Sequence, residues 1–288
     1  MGTELALNEG FDVELLAAMG LKASNSGGSS LNRLAIVQAP IMGEIEVNGK
    51  KIRTEVVPVG AYRLTTGDEQ VVYATEVDVR VFAIRQQYTS WDSENKVMHK
   101  TVMAMDLNGD LKDTKGGFNI GRPSGYVQDF DALSKETKDI IRSVKHTTNV
   151  FGVVSLVGAM DEKGEPVEGR DAEVPFAMEI RSTQGRKNLK AVLDTITRRK
   201  SLPVQYQIRL GANVSQKPDG GSIGTLTATL GPKVDTTPED GDTLRDFFSY
   251  ISNTNQYVMD KWAEVQDGAI SDEDKEIVGS IVNVQGED

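Results

Sequence analysis

The chain has 288 residues, 26% of them charged and 38% apolar, a globular balance that argues against wholesale disorder and allows one large domain or two small ones. It has no cysteine, which excludes disulfides, thiolate zinc sites, iron–sulfur clusters and cysteine nucleophiles, and its two histidines, His99 and His146, exclude a His-rich metal centre. The net charge of −11 resides in residues 235–288, which hold 14 acids and 3 bases, so the preceding body is neutral.

Residues 1–30 read as a short helix over 11–21 followed by a flexible linker, KASNSGGSS. They lack the basic start and unbroken apolar stretch of a signal peptide, and no run of about 18 apolar residues occurs, so a cytoplasmic location and no membrane partner are expected. Residues 44–53 alternate around Asn48-Gly49, a pair that supplies the positive φ angles of a type I′ turn, and predict a hairpin. A long strand is expected over 71–88, where Val77, Val79, Val81 and Ala83 alternate with Asp78, Arg80, Phe82 and Ile84. The second set turns apolar toward its end, which predicts burial on both faces there. Shorter strands are expected at 97–105, 150–157, 174–181, 203–211 and 223–230, all rich in Val, Ile, Thr or aromatics.

The glycine-rich, polar stretch 107–130 reads as a long mobile loop. A helix over 134–145 has Ser134 and Thr137 as candidate caps. In a second helix, at about 186–199, Leu189, Val192, Leu193 and Ile196 share one arc beside a basic arc of Arg186, Lys187, Lys190 and Arg198. The clearest helix is 242–266, where Leu244, Phe247, Phe248, Ile251, Val258, Trp262 and Val265 form a stripe that must bury against the sheet or a partner chain. Residues 268–288 form an acidic tail. The expected organisation is therefore an N-terminal helix and linker (1–30), a β-rich binding domain (31–234), a C-terminal helix (235–267) and the tail. The fold class is β-rich α+β, a barrel or sandwich with peripheral helices.

Chemical motifs are sparse. No glycine-rich stretch ends in Gly-Lys-Ser/Thr, and the glycines of 116–125 lack the spacing of a dinucleotide fingerprint. Asp106-Leu107-Asn108-Gly109-Asp110 starts like a calcium loop, but Leu111 and Gly117 stand where that loop needs Gly and Glu. Both histidines read as surface or edge residues, and no spacing selects a set of acids for metal-dependent chemistry. The reading is a binding protein, not an enzyme, without cofactor, metal or catalytic residue.

The cations are more informative. Residues 181–217 carry nine bases against one acid, Asp194. Single strands of nucleic acid are held by cations on phosphates and aromatic faces on bases. Arg80, Arg85, Tyr88 and Trp91 interleave both kinds of residue along one strand, and Lys100 follows. The glycine-rich loop adds Lys112, Lys115, Phe118, Arg122 and Tyr126; the basic segment adds Arg181, Arg186, Lys187, Lys190, Arg198 and Arg209. Tyr88, Trp91, Phe118 and Tyr126 are the stacking candidates. Each residue also has a plainer reading, in which the aromatics are core and the cations a solvated face. The acidic end either occupies a basic groove until nucleic acid displaces it, then recruiting partner proteins, or serves only solubility.

A β-rich body with basic and aromatic residues, a C-terminal helix and an acidic tail resembles phage-encoded single-stranded DNA-binding proteins of the OB-fold type. The run from Val71-Val72-Tyr73-Ala74 to Trp91, then Lys100-Thr101-Val102-Met103 and the segment from Gly116 to Tyr126, carry the resemblance over about residues 31–230. It implies an OB-like barrel that coats single-stranded DNA in replication or recombination in the host cytoplasm, with replication or recombination proteins as partners of the tail. The tail ends in Val-Gln-Gly-Glu-Asp, not in the terminal aromatic or Pro-Phe of well-known members, which sets partner recruitment apart from strand binding. An alternative is a structural or assembly protein of a virion, a homo-oligomer joined through the 242–266 stripe. A third is a metal-dependent nuclease accessory or enzyme.

Overall fold

The computed structural model describes residues 31–269 apart from Asn48, Gly49, Asp68, Glu69, Tyr126 and Asp219. The expected N-terminal helix, the hairpin's turn pair, Tyr126 and most of the acidic tail lie outside the described residues. In chain order the strands are β1 (Asn32–Ile36), β2 (Ile41–Val47), β3 (Lys50–Val57), β4 (Tyr62–Thr65), β5 (Val71–Ala74), β6 (Val77–Asp92) and β7 (Val97–Lys100). Helix α1 (Lys135–Ser143), β8 (Lys145–Ser155), β9 (Val174–Ile180), helix α2 (Thr183–Arg198), β10 (Tyr206–Gln216), β11 (Ser222–Lys233) and helix α3 (Pro238–Ala269) follow. Nine strands form one sheet in the order β11-β10-β6-β8-β9-β1-β4-β5, with β7 against β6, while β2 and β3 stand apart as a hairpin. Pairing is antiparallel except between β1 and β9.

The sheet curls until its two ends approach. The Tyr62 hydroxyl on β4 donates to Gly211 O on β10 at 2.8 Å, and the Gln38 amide, just past β1, exchanges hydrogen bonds of 3.0 and 3.2 Å with the Gly224 backbone on β11. Glycine is required here, because a Cβ on Gly224 would lie 2.9 Å from Gly60 Cα. Inside the curl, Leu34, Tyr62, Leu64, Val79, Val154, Phe176, Ile208 and Leu226 form the main core. No ladder joins β1 to β11 among the described residues, so the sheet is curled and open rather than a closed barrel. Helix α2 covers the core with Leu189, Val192 and Ile196, its N-terminus capped by Ser182, whose hydroxyl accepts from Gly185 N–H. The architecture is β-rich α+β.

A β-bulge in β6 decides what lies on the outer face. Val81 pairs with Gly152 and Ala83 with Phe151, so Phe82 is the extra residue. Val77, Val79 and Val81 face the main core, but Phe82 and Ala83 both turn outward to a second core with Phe151, Phe247 and Ile251. Beyond the bulge the alternation is inverted, placing Arg85 and Trp91 on the outer face with Arg80 and sending Tyr88 to the other side. The strand expected over 71–88 is in fact two, β5 and β6, interrupted at Thr75 and Glu76.

Helix α3 lies along this outer face. Pro238 opens it, and Glu239 and Asp240 in its first turn complement the helix dipole. Phe247, Ile251 and Val258 of its stripe are buried, and Asn255 clasps both backbone groups of Met103, accepting from N–H at 2.7 Å and donating to O at 3.0 Å. The stripe's buried residues thus pack within the chain.

Residues 111–121 of the glycine-rich stretch are held in a defined conformation, contrary to the sequence reading of a mobile loop. Asp113, fully buried, accepts from the backbone N–H groups of Lys115, Gly117 and Ile120 at 2.8, 3.1 and 2.7 Å. Asn119 accepts from Leu111 N–H, and bridges join Thr101 to Asp113 and Lys112 to Phe118. This knot holds Asn119 and Ile120 at φ angles of 53° and 58°, a conformation that costs a β-branched residue energy and persists only where neighbours impose it. Gly116 packs against Val265 of α3, and the Gln266 amide donates to its carbonyl at 2.5 Å.

Candidate nucleic-acid interface

The structure divides the predicted cations into those that α3 engages and those that stay open. Arg80 is only 6% exposed. Its Nε and Nη2 donate to Glu173 at 2.8 and 2.5 Å, its Nη1 and Nη2 to Asp240 at 2.9 and 2.8 Å, and Nη1 also to Val204 O at 3.4 Å. All five guanidinium donors are thereby committed, and none remains for a phosphate. Its two carboxylates raise its pKa further above the usual arginine value. Arg80 is therefore a clamp between sheet and helix, a correction to its placement on the binding face.

Tyr88 needs a similar correction. Its ring is buried with Ile120 and Val144, under the Arg122 guanidinium at 5.5 Å, which leaves no face for a base. Three other cations sit over rings of α3: Arg85 over Phe248 at 5.5 Å, Lys100 over Tyr257 at 5.2 Å and Lys112 over Trp262 at 4.0 Å. Burial also lowers the Lys100 pKa. The Phe118 ring lies 6.2 Å from Trp262 and remains 46% exposed; Lys115 is exposed. Trp91 is 56% exposed at the end of β6.

Along the basic segment, Arg209 forks onto Asp78 at 2.9 and 2.8 Å, Lys190 pairs with Asp194 at 2.7 Å, and Arg181 pairs with Glu179 at 2.7 Å. Arg198 donates to Asp194 O at 3.2 Å, and Lys187 is exposed. The exposed Lys190–Asp194 and Arg181–Glu179 pairs contribute little and are easily exchanged for another anion, whereas the Asp78 carboxylate under the Arg209 fork is largely buried.

At the start of β8 the open cations converge. Arg122, from the knotted loop, donates to Ile141 O at 3.1 Å at the end of α1. Arg186, from α2, donates to His146 O, to Arg181 O at 3.2 Å and to Thr183 Oγ1 at 3.3 Å. Lys145 donates to Arg142 O. Among the described residues none of these three forms an ion pair with a carboxylate. Backbone carbonyls hold them in place without cancelling their charge. His146 lies between them, its pKa pushed down to about 4 by burial and by the Arg186 and Arg122 charges. Its Nε2 donates to Gln86 Oε1 at 2.7 Å, an oxygen that also accepts from Thr148 Oγ1 at 2.8 Å, so the ring is a neutral, oriented imidazole.

No protein-family model, curated protein or solved structure matches the chain. Its chemistry must be read from the site itself. Uncancelled cations on fixed anchors attract an anion with several oxygens, and phosphate is such an anion. Lys145 pairs with Thr89, two residues before Trp91 on the same outer face, so an aromatic surface adjoins this lysine, while Arg122 lies over Tyr88 on the other side of the strand. The sequence reading missed Lys145, Arg142 and Lys138; the last two lie over the Phe130 ring at 5.5 and 5.9 Å. Their four-residue spacing on α1 was the available signal. Among the described residues no group of His, Asp or Glu side chains is arranged to hold a metal ion, and no helix is long and apolar enough to cross a membrane.

Proposed function

We propose that the chain binds single-stranded DNA across the start of β8, with Arg122, Lys145, Arg186 and Lys187 on phosphates and Trp91 stacked on a base. The observation that carries this reading is the convergence of Arg122, Lys145 and Arg186, from three separate segments, on backbone carbonyls without a carboxylate partner among the described residues. An exposed Trp on the same strand face as Lys145 suits unpaired bases, whose faces a duplex would hide. The polar rim formed by Arg181, Lys190 and Arg198 would extend the path along α2, its ion pairs giving way to phosphates.

Fluorescence anisotropy with labelled single-stranded DNA, duplex DNA and single-stranded RNA over a salt series tests the proposal. Single-stranded DNA should bind tightest, with affinity falling as salt rises. The double substitution Arg122→Met/Arg186→Met should flatten that salt dependence, and Trp91→Ala should weaken binding by about 1–3 kcal/mol. Equal affinity of the native chain and the double variant would refute the site.

A further inference from the structure

Lys100 on β7 stands in one row with Thr89 on β6 and Lys145 on β8, because Thr89 pairs with both lysines. Residues directly opposite one another point to the same face, so the two lysines flank Thr89 on the outer face, about 10 Å apart at the backbone. The floor of this row spends its polar groups internally: Thr89 Oγ1 and Thr147 Oγ1 share a hydrogen bond of 2.9 Å, and Gln87 Nε2 donates to Thr101 O at 2.6 Å. Lys100 differs. Its ammonium is partly desolvated, and among the described residues no carboxylate pairs with it. Glu179 favours its charge from beyond ion-pair distance, and Arg33 opposes it. Above the row, the ring of Tyr257 on α3 lies 5.2 Å from the Lys100 ammonium, and the residue is 51% exposed. Tyr257 follows Tyr250 by two helical turns and shares its flank of α3, and Tyr250 packs on Phe151 of β8 at 5.9 Å. That flank therefore faces the β8 side of the sheet, while Phe248 and Trp262, with Arg85 and Lys112, occupy the opposite one.

We propose that the outer face between α3 and the start of β8 holds a further nucleotide of the bound single strand, its phosphate between Lys100 and Lys145 and its base stacked on Tyr257. The inference rests on the DNA-binding reading and adds to it a second aromatic platform and a route. Arg122, over Tyr88, and Arg186, on His146 O, lie on the other side of the sheet from Lys100. A strand that reaches both groups passes over the start of β8 and continues toward α3. There a phosphate supplies the counter-charge that the Lys100 site lacks. Lys100 covers one side of the Tyr257 ring, and half of the side chain remains open for a base.

Fluorescence anisotropy with oligothymidines of increasing length separates this site from the one at Trp91. In the full chain, Tyr257→Leu should weaken binding of the longer oligomers at least about fivefold, the worth of one stack, whereas Tyr257→Phe should leave it unchanged. Lys100→Met should reduce the slope of log K against log salt by about 0.7. Far-UV circular dichroism checks that each variant is folded. A second measurement leaves the protein unaltered: a single strand carrying 5-iodouracil should couple on irradiation to Trp91 and, with the label at another position, to Tyr257. If the native chain binds single strands but Tyr257→Leu and Lys100→Met bind them equally well, or if no label position couples to Tyr257, this inference is overturned and the Trp91 site stands. Absence of any single-strand binding by the native chain overturns both.

Discussion

Replacing Arg80 with Met tests the account of how α3 is held. The substitution keeps much of the side-chain volume but leaves Glu173 and Asp240 facing each other without their cation. Removing one member of a buried ion pair costs about 3–5 kcal/mol. The Glu173 side chain is 34% exposed and can rehydrate, whereas that of Asp240 is 12% exposed and cannot do so fully. The lower end of the range, about 3 kcal/mol, is therefore expected, which for a body of this size is roughly 6–12 °C in Tm. Urea unfolding followed by circular dichroism measures the loss, and hydrogen exchange should show the first turns of α3 opening first. The acid side offers a further check. Arg80 holds the Asp240 carboxyl below its usual range, so the stabilisation is complete above the unfolded value of about 3.9 and is lost as pH falls below it. Arg80→Met should abolish that part of the acid-side slope. A loss below about 1 kcal/mol, with α3 exchange unchanged, would refute the clamp.

Three other outcomes are expected. For single-stranded DNA, Arg122→Met and Arg186→Met should each reduce the slope of log K against log salt by about 0.7, and an unchanged slope would remove that residue from the interface. By NMR, His146 should titrate near its depressed pKa of about 4, so its contribution to stability is present above about 6.5 and is lost as pH falls from there toward 4; Arg186→Met should raise the midpoint, and a native midpoint at or above about 6 would contradict the site's electrostatics. Gly152→Ala should destabilise by at least about 2 kcal/mol in urea unfolding, because the new Cβ would run into the Arg80 backbone carbonyl opposite the bulge.

Periodicity in the sequence located α2 and α3 to within a few residues, because each buries one stripe, while α1 was legible from its Ser134 cap. β1 and β4 escaped notice because a strand of four or five residues leaves almost no periodic signal. The β6 bulge was equally hidden: an alternating pattern has no mark for the one extra residue that inverts it, so plain alternation puts Tyr88 on the face of Arg80 and Arg85 opposite, the reverse of their placement. Arg80 looked like a surface cation because its partner Asp240 is 160 residues away. The convergence at β8 depends on an α1 terminus, a loop and α2 meeting in space. Composition showed that cations were available but not which of them would find carboxylates.

The knot around Asp113 bears on what binding would cost. Ordering a flexible residue costs about 1–2 kcal/mol of backbone entropy, so a loose glycine-rich arm would give up much of its contact energy on arrest. Here one buried carboxylate accepts from three backbone N–H groups, and Arg122 follows directly on the turn they define. Its guanidinium is in position before any ligand arrives. The entropy lost on association then falls mainly on the ligand, and Asp113→Ala should weaken binding through a slack arm even though Asp113 itself touches nothing outside the fold.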